Sequence, residues 1–246
     1  MNRLIITPSA IPNMFTAMNM FCGFLSIINA ASGEYIYACW LIIIAGVFDL
    51  LDGMMARLTK SSSALGVQLD SLSDLVSFGV APAFLVYKTY LINYNAGGII
   101  ISSLLMIAGG LRLARFNVQL VGFNKSFFTG LPIPSAAIAV ASFIIAFYTK
   151  GTGFDPSVIN YIIPLVIILS YLMVSTIKYD TLPKLNKQEL KDKPYLYFAP
   201  IVLILIFIFV PLKRILFLIF VLIILFGIFR HLYNMLSKKK NKIIRS

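Results

Sequence analysis

The chain contains 246 residues, of which 59% are hydrophobic and only 12% charged, and its mean hydropathy is +0.91. This composition excludes an ordinary soluble domain, which carries about twice as much charge. The net charge of +12 is compatible with nucleic-acid binding. However, the cationic residues lie between long apolar runs, where they serve to orient membrane helices and to contact anionic lipid headgroups. We therefore expect a lipid bilayer, and no nucleic acid, around this chain.

The apolar runs predict about eight transmembrane helices, because a helix needs about 20 apolar residues to cross a bilayer. In chain order these spans cover residues 13–31, 35–57, 67–90, 97–116, 131–149, 157–177, 196–210 and 213–232. Glycine or proline marks most of the connections, as at Gly33 and Pro211. The predicted fold class is all-α, a polytopic membrane helix bundle with short connections.

The distribution of Lys and Arg predicts the orientation of this bundle. If the N-terminus is cytoplasmic and the spans alternate, 17 of the 21 Lys and Arg residues fall on the cytoplasmic side. The four on the outer side are Lys88, Lys150, Lys213 and Arg214. Since positive charge accumulates on the cytoplasmic side, we expect a multi-pass protein of the cell membrane.

The two cysteines, Cys22 and Cys39, both fall inside apolar segments. They lack the paired spacing of a structural zinc site. We therefore expect both side chains to act as small buried hydrophobic groups.

An acidic cluster stands out against this apolar background. Four of the nine acidic residues lie in one short stretch, at Asp49, Asp52, Asp70 and Asp74. A carboxylate at membrane depth is costly and needs a partner. Only Arg57 and Lys60 are nearby in sequence, so protein cations alone leave the cluster under-neutralised, which argues against a purely structural charge network.

Helical spacing indicates that these carboxylates can bind metal. Asp49 and Asp52 are three residues apart and Asp70 and Asp74 are four apart, so each pair shares one helix face. A short loop joins the two helices, so the faces can converge at the cytoplasmic end. Oxygen ligands favour magnesium or manganese over zinc, and two such ions would neutralise four carboxylates.

The spacing of these residues resembles the signature of the CDP-alcohol phosphatidyltransferase family, Asp-x2-Asp-Gly-x2-Ala-Arg-x8-Gly-x3-Asp-x3-Asp. The fixed positions correspond to Asp49, Asp52, Gly53, Ala56, Arg57, Gly66, Asp70 and Asp74. The opening stretch from Ile11 to Thr16, which contains Asn13, is also similar to that of the family. The resemblance to the six-helix family core covers roughly residues 10–177.

The resemblance implies an activity: transfer of the phosphatidyl group from CDP-diacylglycerol to a small alcohol. It implies that Asp49, Asp52 and Asp70 hold two Mg²⁺ or Mn²⁺ ions, and that Asp74 also touches a metal and acts as the base. By the same resemblance, Gly53, Ala56, Arg57 and Gly66 line the CDP site, Asn13 lies near the nucleotide, and the protein is a homodimer.

The resemblance also divides the chain into three parts. The catalytic membrane core occupies residues 1–177 and a cytoplasmic loop occupies residues 178–195. The remainder, residues 196–246, forms a C-terminal extension with two spans and a basic tail.

A second part of the sequence suggests which alcohol accepts the phosphatidyl group. It comprises the stretch Arg112-Leu-Ala-Arg115-Phe-Asn117 and the later segment 128–135. Both resemble the phosphatidylserine synthase branch of that family. Arg112 and Arg115 share one helix face, and an arginine fork is a good partner for the carboxylate of L-serine. Both arginines could instead be flanking charges that set the orientation, or could bind the phosphates of the CDP-lipid.

Two kinds of alternative stay open at this point. Within the same chemistry, the acceptor could be glycerol 3-phosphate, inositol phosphate or choline, although a phosphorylated acceptor calls for more cationic groups. In a different class, the aspartates could line the pathway of a cation transporter, but no paired broken helices are visible in the sequence.

Overall fold

The computed structural model describes residues 10–59, 63–121, 130–177 and 212–243. The predicted span 196–210, the whole of the predicted loop 178–195, and Lys60 lie outside these ranges, as do both chain termini. Four helical stretches of the described residues are long and apolar enough to cross a membrane: Ala10–Ala31, Tyr35–Thr59, Ala64–Thr89 and Leu91–Val118. Two shorter apolar helices cover Ile133–Phe147 and Ile159–Val174.

The helices follow the predicted order. They are α1 (Ala10–Ala31), α2 (Tyr35–Thr59), α3 (Ala64–Asp74), α4 (Ala81–Thr89), α5 (Asn95–Val121), α6 (Ile133–Phe147), α7 (Ile162–Val174) and α8 (Leu212–Ile243). A π-helical turn over Leu75–Val80, called the π turn below, joins α3 to α4 without a break, and short 3₁₀ turns cover Leu91–Tyr94 and Ile159–Tyr161.

Helices α1 and α2 form a tightly packed hairpin. Its turn places Gly33 at φ +82°, a backbone conformation that glycine adopts without steric penalty. The contact surface contains buried small residues such as Ala30, Ala38 and Cys39, which let membrane helices approach closely. Ser26 donates its hydroxyl hydrogen to the carbonyl of Ala38 at 2.9 Å and ties the two helices together.

The core lies around α6, whose side chains are almost all apolar and buried on several sides. Nine of its 15 residues are buried, and Phe143 and Phe147 of α6 pack edge-to-face against Phe217 of α8. Cys22 and Cys39 are free, buried thiols, which confirms the reading of both as packing residues.

The structure differs from the predicted elements in two places. The predicted end of the span 131–149 and the connection after it form a two-stranded antiparallel hairpin, β1 (Tyr148–Thr149) and β2 (Gly153–Phe154), because Gly151 and Gly153 at positive φ make a tight turn there. Helix α8 also continues to Ile243, beyond the predicted end of the last span at residue 232. Lysine is a good helix former and is favourable near a helix C-terminus.

The two ends of the bundle carry different connections. At one end, Tyr35 donates to the carbonyl of Lys88 at 3.3 Å and Lys150 pairs with Glu34 at 2.6 Å. The other end contains the start of α1 and the ends of α2 and α5, and the acidic cluster lies toward it. The alternation of the first six predicted spans is consistent with this arrangement.

Candidate functional site

Three of the four predicted metal ligands converge in one place. Each of Asp49, Asp70 and Asp74 offers a carboxylate oxygen, and these oxygens all lie within 4.8 Å of one another. Asp49 comes from α2 and the other two come from one face of α3. Asp74 is buried, whereas Asp49 and Asp70 are partly exposed. The i, i+4 spacing on α3 therefore produces the convergence that the sequence predicts.

Asp52 is not one of the three residues whose carboxylate oxygens converge. Its side chain is only 6% exposed, and its Oδ2 accepts a hydrogen bond of 2.9 Å from the hydroxyl of Thr16 on α1. Asp52 still interacts electrostatically with Asp70, so it belongs to the same charged cluster. The hydrogen bond from Thr16 fixes the direction of its carboxylate.

Helix α1 also reaches Asp74. The side-chain amide of Asn19 donates to Oδ1 of Asp74 at 3.3 Å. Two serines hold the backbones of these helices together: Ser73 donates to the carbonyl of Thr16 at 3.0 Å, and Ser77 donates to the carbonyl of Asn19 at 2.8 Å. The polar side of α1 is thus bonded directly to the segment that carries the carboxylates.

No Lys or Arg in the described part of the chain forms an ion pair with the carboxylates of the cluster. The two ion pairs found there, Lys150 with Glu34 and Arg214 with Asp155, both lie away from the cluster. Buried carboxylates this close repel one another strongly unless a cation or a proton is shared between them. An all-oxygen donor set with excess negative charge fits one or two hard divalent cations.

The residues expected to line a nucleotide site are brought together in two small groups. A Cβ added at Gly66 would lie 3.3 Å from Oδ1 of Asn13, so the start of α1 faces the start of α3. A Cβ added at Gly53 would lie 3.6 Å from the Arg57 guanidinium. Arg57 is exposed, and Gly53 and Ala56 are partly exposed beside it. Gly53 directly follows Asp52 on α2, and Gly66 precedes Asp70 by about one turn of α3.

The two candidate acceptor-binding arginines have different surroundings. Arg112 is partly buried, its Nε has no hydrogen-bond partner among the described residues, and its charge interacts with Asp74. Arg115 instead donates to the carbonyls at the end of α7: Val174 at 3.0 Å, with Met173 and Ser175 at 3.4 Å. Arg112 therefore interacts with the acidic cluster through its charge, whereas Arg115 holds α7 against α5.

Thr16 and Asn19 are site residues that the sequence interpretation missed. The available signal was their spacing, since Asn13, Thr16 and Asn19 occur every third residue and share one face of an otherwise apolar helix. Ser71 and Asn117 were also missed as a pair. The Asn117 amide donates to the Ser71 hydroxyl at 3.0 Å and connects α3 to α5.

Comparison with known proteins agrees with this geometry. The family model for CDP-alcohol phosphatidyltransferases matches residues 9–177. A CDP-diacylglycerol–serine O-phosphatidyltransferase of Helicobacter pylori is 35% identical over 233 residues, which cover 94% of each chain. An archaetidylserine synthase of Methanothermobacter thermautotrophicus is 41% identical over 172 residues, 69% of each chain. The CDP-diacylglycerol–serine O-phosphatidyltransferase of Bacillus subtilis is 36% identical over 190 residues, 74% of this chain and 96% of the relative.

Proposed function

Because this chain belongs to the CDP-alcohol phosphatidyltransferase family, we propose that it transfers the phosphatidyl group of CDP-diacylglycerol to L-serine, forming phosphatidylserine and CMP. The main structural support for transferase chemistry is that carboxylate oxygens of Asp49, Asp70 and Asp74 lie within 4.8 Å of one another. Relatives from two bacteria and an archaeon are all named for serine transfer, which supports this acceptor. The archaeal relative is named for a different lipid, so serine is the feature that the names share.

We propose that Asp49, Asp52, Asp70 and Asp74 hold two Mg²⁺ or Mn²⁺ ions. Bound there, the metals would polarise the pyrophosphate and offset the charge that develops on departing CMP. The 2.9 Å hydrogen bond from Thr16 would hold the Asp52 carboxylate in one orientation for this role. Asn13, Gly53, Ala56, Arg57 and Gly66 are proposed to line the CDP site, where the absence of side chains at the glycines leaves room for a nucleotide.

Asp74 is proposed to act as the general base. It accepts the proton of the serine hydroxyl while the serine oxygen attacks the lipid-side phosphorus. A new phosphorus–oxygen bond forms to serine, and the bond between that phosphorus and the CMP oxygen breaks. Arg112, whose charge interacts with that of Asp74, is proposed to bind the serine carboxylate. In this proposal the serine hydroxyl faces Asp74 and the serine carboxylate faces Arg112.

The wider arrangement is also a proposal. We propose about eight spans in the cell membrane, with the acidic end of the bundle at the cytoplasmic face, on the basis of the Lys and Arg distribution. The nucleotide and serine are water-soluble groups supplied from the cytoplasm, whereas the acyl chains can remain in lipid between the helices. A homodimer follows from family membership alone.

The acceptor assignment can be tested with the purified protein. CMP release from CDP-diacylglycerol in the presence of a divalent cation is measured with L-serine, glycerol 3-phosphate, inositol phosphate, choline or ethanolamine, and the lipid product is identified. We expect CMP and phosphatidylserine with L-serine. Equal turnover with another alcohol would contradict the assignment of serine as the acceptor but would leave the transferase assignment intact. No CMP with any acceptor would remove the transferase assignment and favour the transporter alternative.

A further inference from the structure

Asn19 is a fully buried polar residue that the proposed chemistry does not yet use. Its exposed fraction is 0%. Its amide donates to Oδ1 of Asp74 at 3.3 Å, and its own Oδ1 has no hydrogen-bond partner among the described residues. A buried polar atom without a partner is destabilising. An amide that served only to fill space between α1 and α3 would be better replaced by an apolar side chain.

The backbone of Asn19 is bonded to the π turn that follows Asp74. The π turn begins directly after Asp74, and Ser77 within it donates to the carbonyl of Asn19 at 2.8 Å. π-helical turns occur frequently at functional sites. The extra residue in this turn changes the helix register after Asp74 and brings Ser77 onto α1.

Gly23 allows this close approach between the two segments. A Cβ at position 23 would lie 2.6 Å from the Cα of Ser77, closer than real Cβ atoms come. The helices could not keep their present separation with any larger residue. Gly23, Ser77 and Asn19 therefore fix the distance and the rotation between α1 and the segment that carries Asp74.

We propose that Asn19 is a positioning residue that orients the Asp74 carboxylate for proton transfer. This inference rests on the proposed role of Asp74 as the base. The amide donates to Oδ1 of Asp74 and restrains rotation of the carboxylate, so that the carboxylate stays directed toward the hydroxyl of the acceptor. Asn19 acts through Asp74 and does not itself touch the reacting atoms, because its carbonyl and amide are enclosed between α1 and α3.

Kinetics of Asn19→Ala, with Ser26→Ala as matched control, test this role. Ser26 is a buried residue of the same helix whose hydrogen bond to Ala38 lies two turns away from the site. For Asn19→Ala we expect kcat to fall about tenfold or more, as expected when a general base is misplaced, while the KM values for serine and CDP-diacylglycerol stay nearly unchanged. The control should keep its kcat. Equal effects in both variants would overturn the proposal.

A double-mutant cycle separates a positioning role from a packing role. In an Asp74→Asn background, Asn19→Ala should cause no further loss of kcat, because Asn19 acts only through the carboxylate. Additive losses would overturn the positioning role while leaving the proposed reaction intact. Wild-type-like turnover in Asp74→Asn alone would instead overturn the base assignment on which it rests. If Asn19→Ala does not fold, Asn19→Val fills more of the space without offering a hydrogen-bond donor, and the same criteria apply to it.

Discussion

The guanidinium of Arg115 donates to the backbone carbonyl of Val174 at 3.0 Å, at the point where α7 ends. The carbonyls in the last turn of a helix have no partner within the helix, and the cation also interacts favourably with the negative end of the helix dipole. The segment at Gly130 closes the same junction, since its N–H donates to the carbonyl of Ile177 at 2.8 Å. Arg115 thereby connects α5 to the end of α7, and the Gly130 hydrogen bond ties the chain before α6 to the residues after α7.

We therefore expect Arg115→Ala to act mainly on stability. Hydrogen bonds to charged groups contribute about 1.5–3 kcal/mol each, so the variant should have a clearly lower Tm in detergent. The KM for serine should change little in the fraction that remains folded. An unchanged Tm together with a large rise in the serine KM would contradict this assignment and return Arg115 to the acceptor site.

Arg112→Ala should act on serine binding. Loss of one charge-assisted partner costs about 1.5–3 kcal/mol, which corresponds to a rise of roughly tenfold to a hundredfold in the serine KM. Arg112→Lys should recover only part of this, because a point charge does not reproduce the guanidinium fork. The KM for CDP-diacylglycerol serves as the internal control. If that value rises and the serine value does not, Arg112 binds the phosphates of the donor lipid.

Activity should depend strictly on a divalent cation. The described residues provide no ion pair to the carboxylates of Asp49, Asp70 and Asp74, so their charge requires another source of neutralisation. EDTA should abolish CMP release, and added Mg²⁺ or Mn²⁺ should restore it. Full activity after exhaustive chelation would eliminate the metal-assisted mechanism without affecting the family assignment.

Thr16→Val should weaken metal binding without touching any carboxylate. Valine keeps the shape of threonine but removes the donor to Oδ2 of Asp52. Loss of a hydrogen bond that orients a metal ligand typically costs about 10–100-fold in metal affinity or activity. The Mg²⁺ concentration for half-maximal activity should therefore rise, while in Ser26→Ala it should not. Identical Mg²⁺ dependence in both variants would show that Thr16 has only a packing role.

The proposed orientation places the C-terminus in the cytoplasm. A cysteine introduced at Ser246 should resist an impermeant maleimide in intact cells and react after lysis. Thr152→Cys is the matched control, because Thr152 is exposed between β1 and β2 at the opposite end of the bundle and should react before lysis. The native cysteines are buried and should contribute little background. Reaction at position 246 before lysis would invert the topology.

Much of the site follows from the sequence because spacing within one helix fixes which side chains share a face. Asp70 and Asp74 had to point the same way once α3 formed, and a cluster of carboxylates in apolar sequence predicts a bound cation. The helical order and the burial of both cysteines follow equally from apolar composition. The exceptions are local: the π turn and the β1–β2 hairpin depend on packing and on glycine conformations that hydropathy does not report.

Contacts between helices were decided only by the tertiary structure. The sequence cannot distinguish Arg112 from Arg115, which have the same charge and lie on one helix face. It also cannot show that Thr16 meets Asp52 or that Asn19 meets Asp74. Those contacts depend on the rotation and height of α1 against α2 and α3, which close packing at Gly23 and Ser77 fixes. Helical periodicity determines which side chains share a face of one helix. The packing of side chains between helices determines which of those faces are in contact.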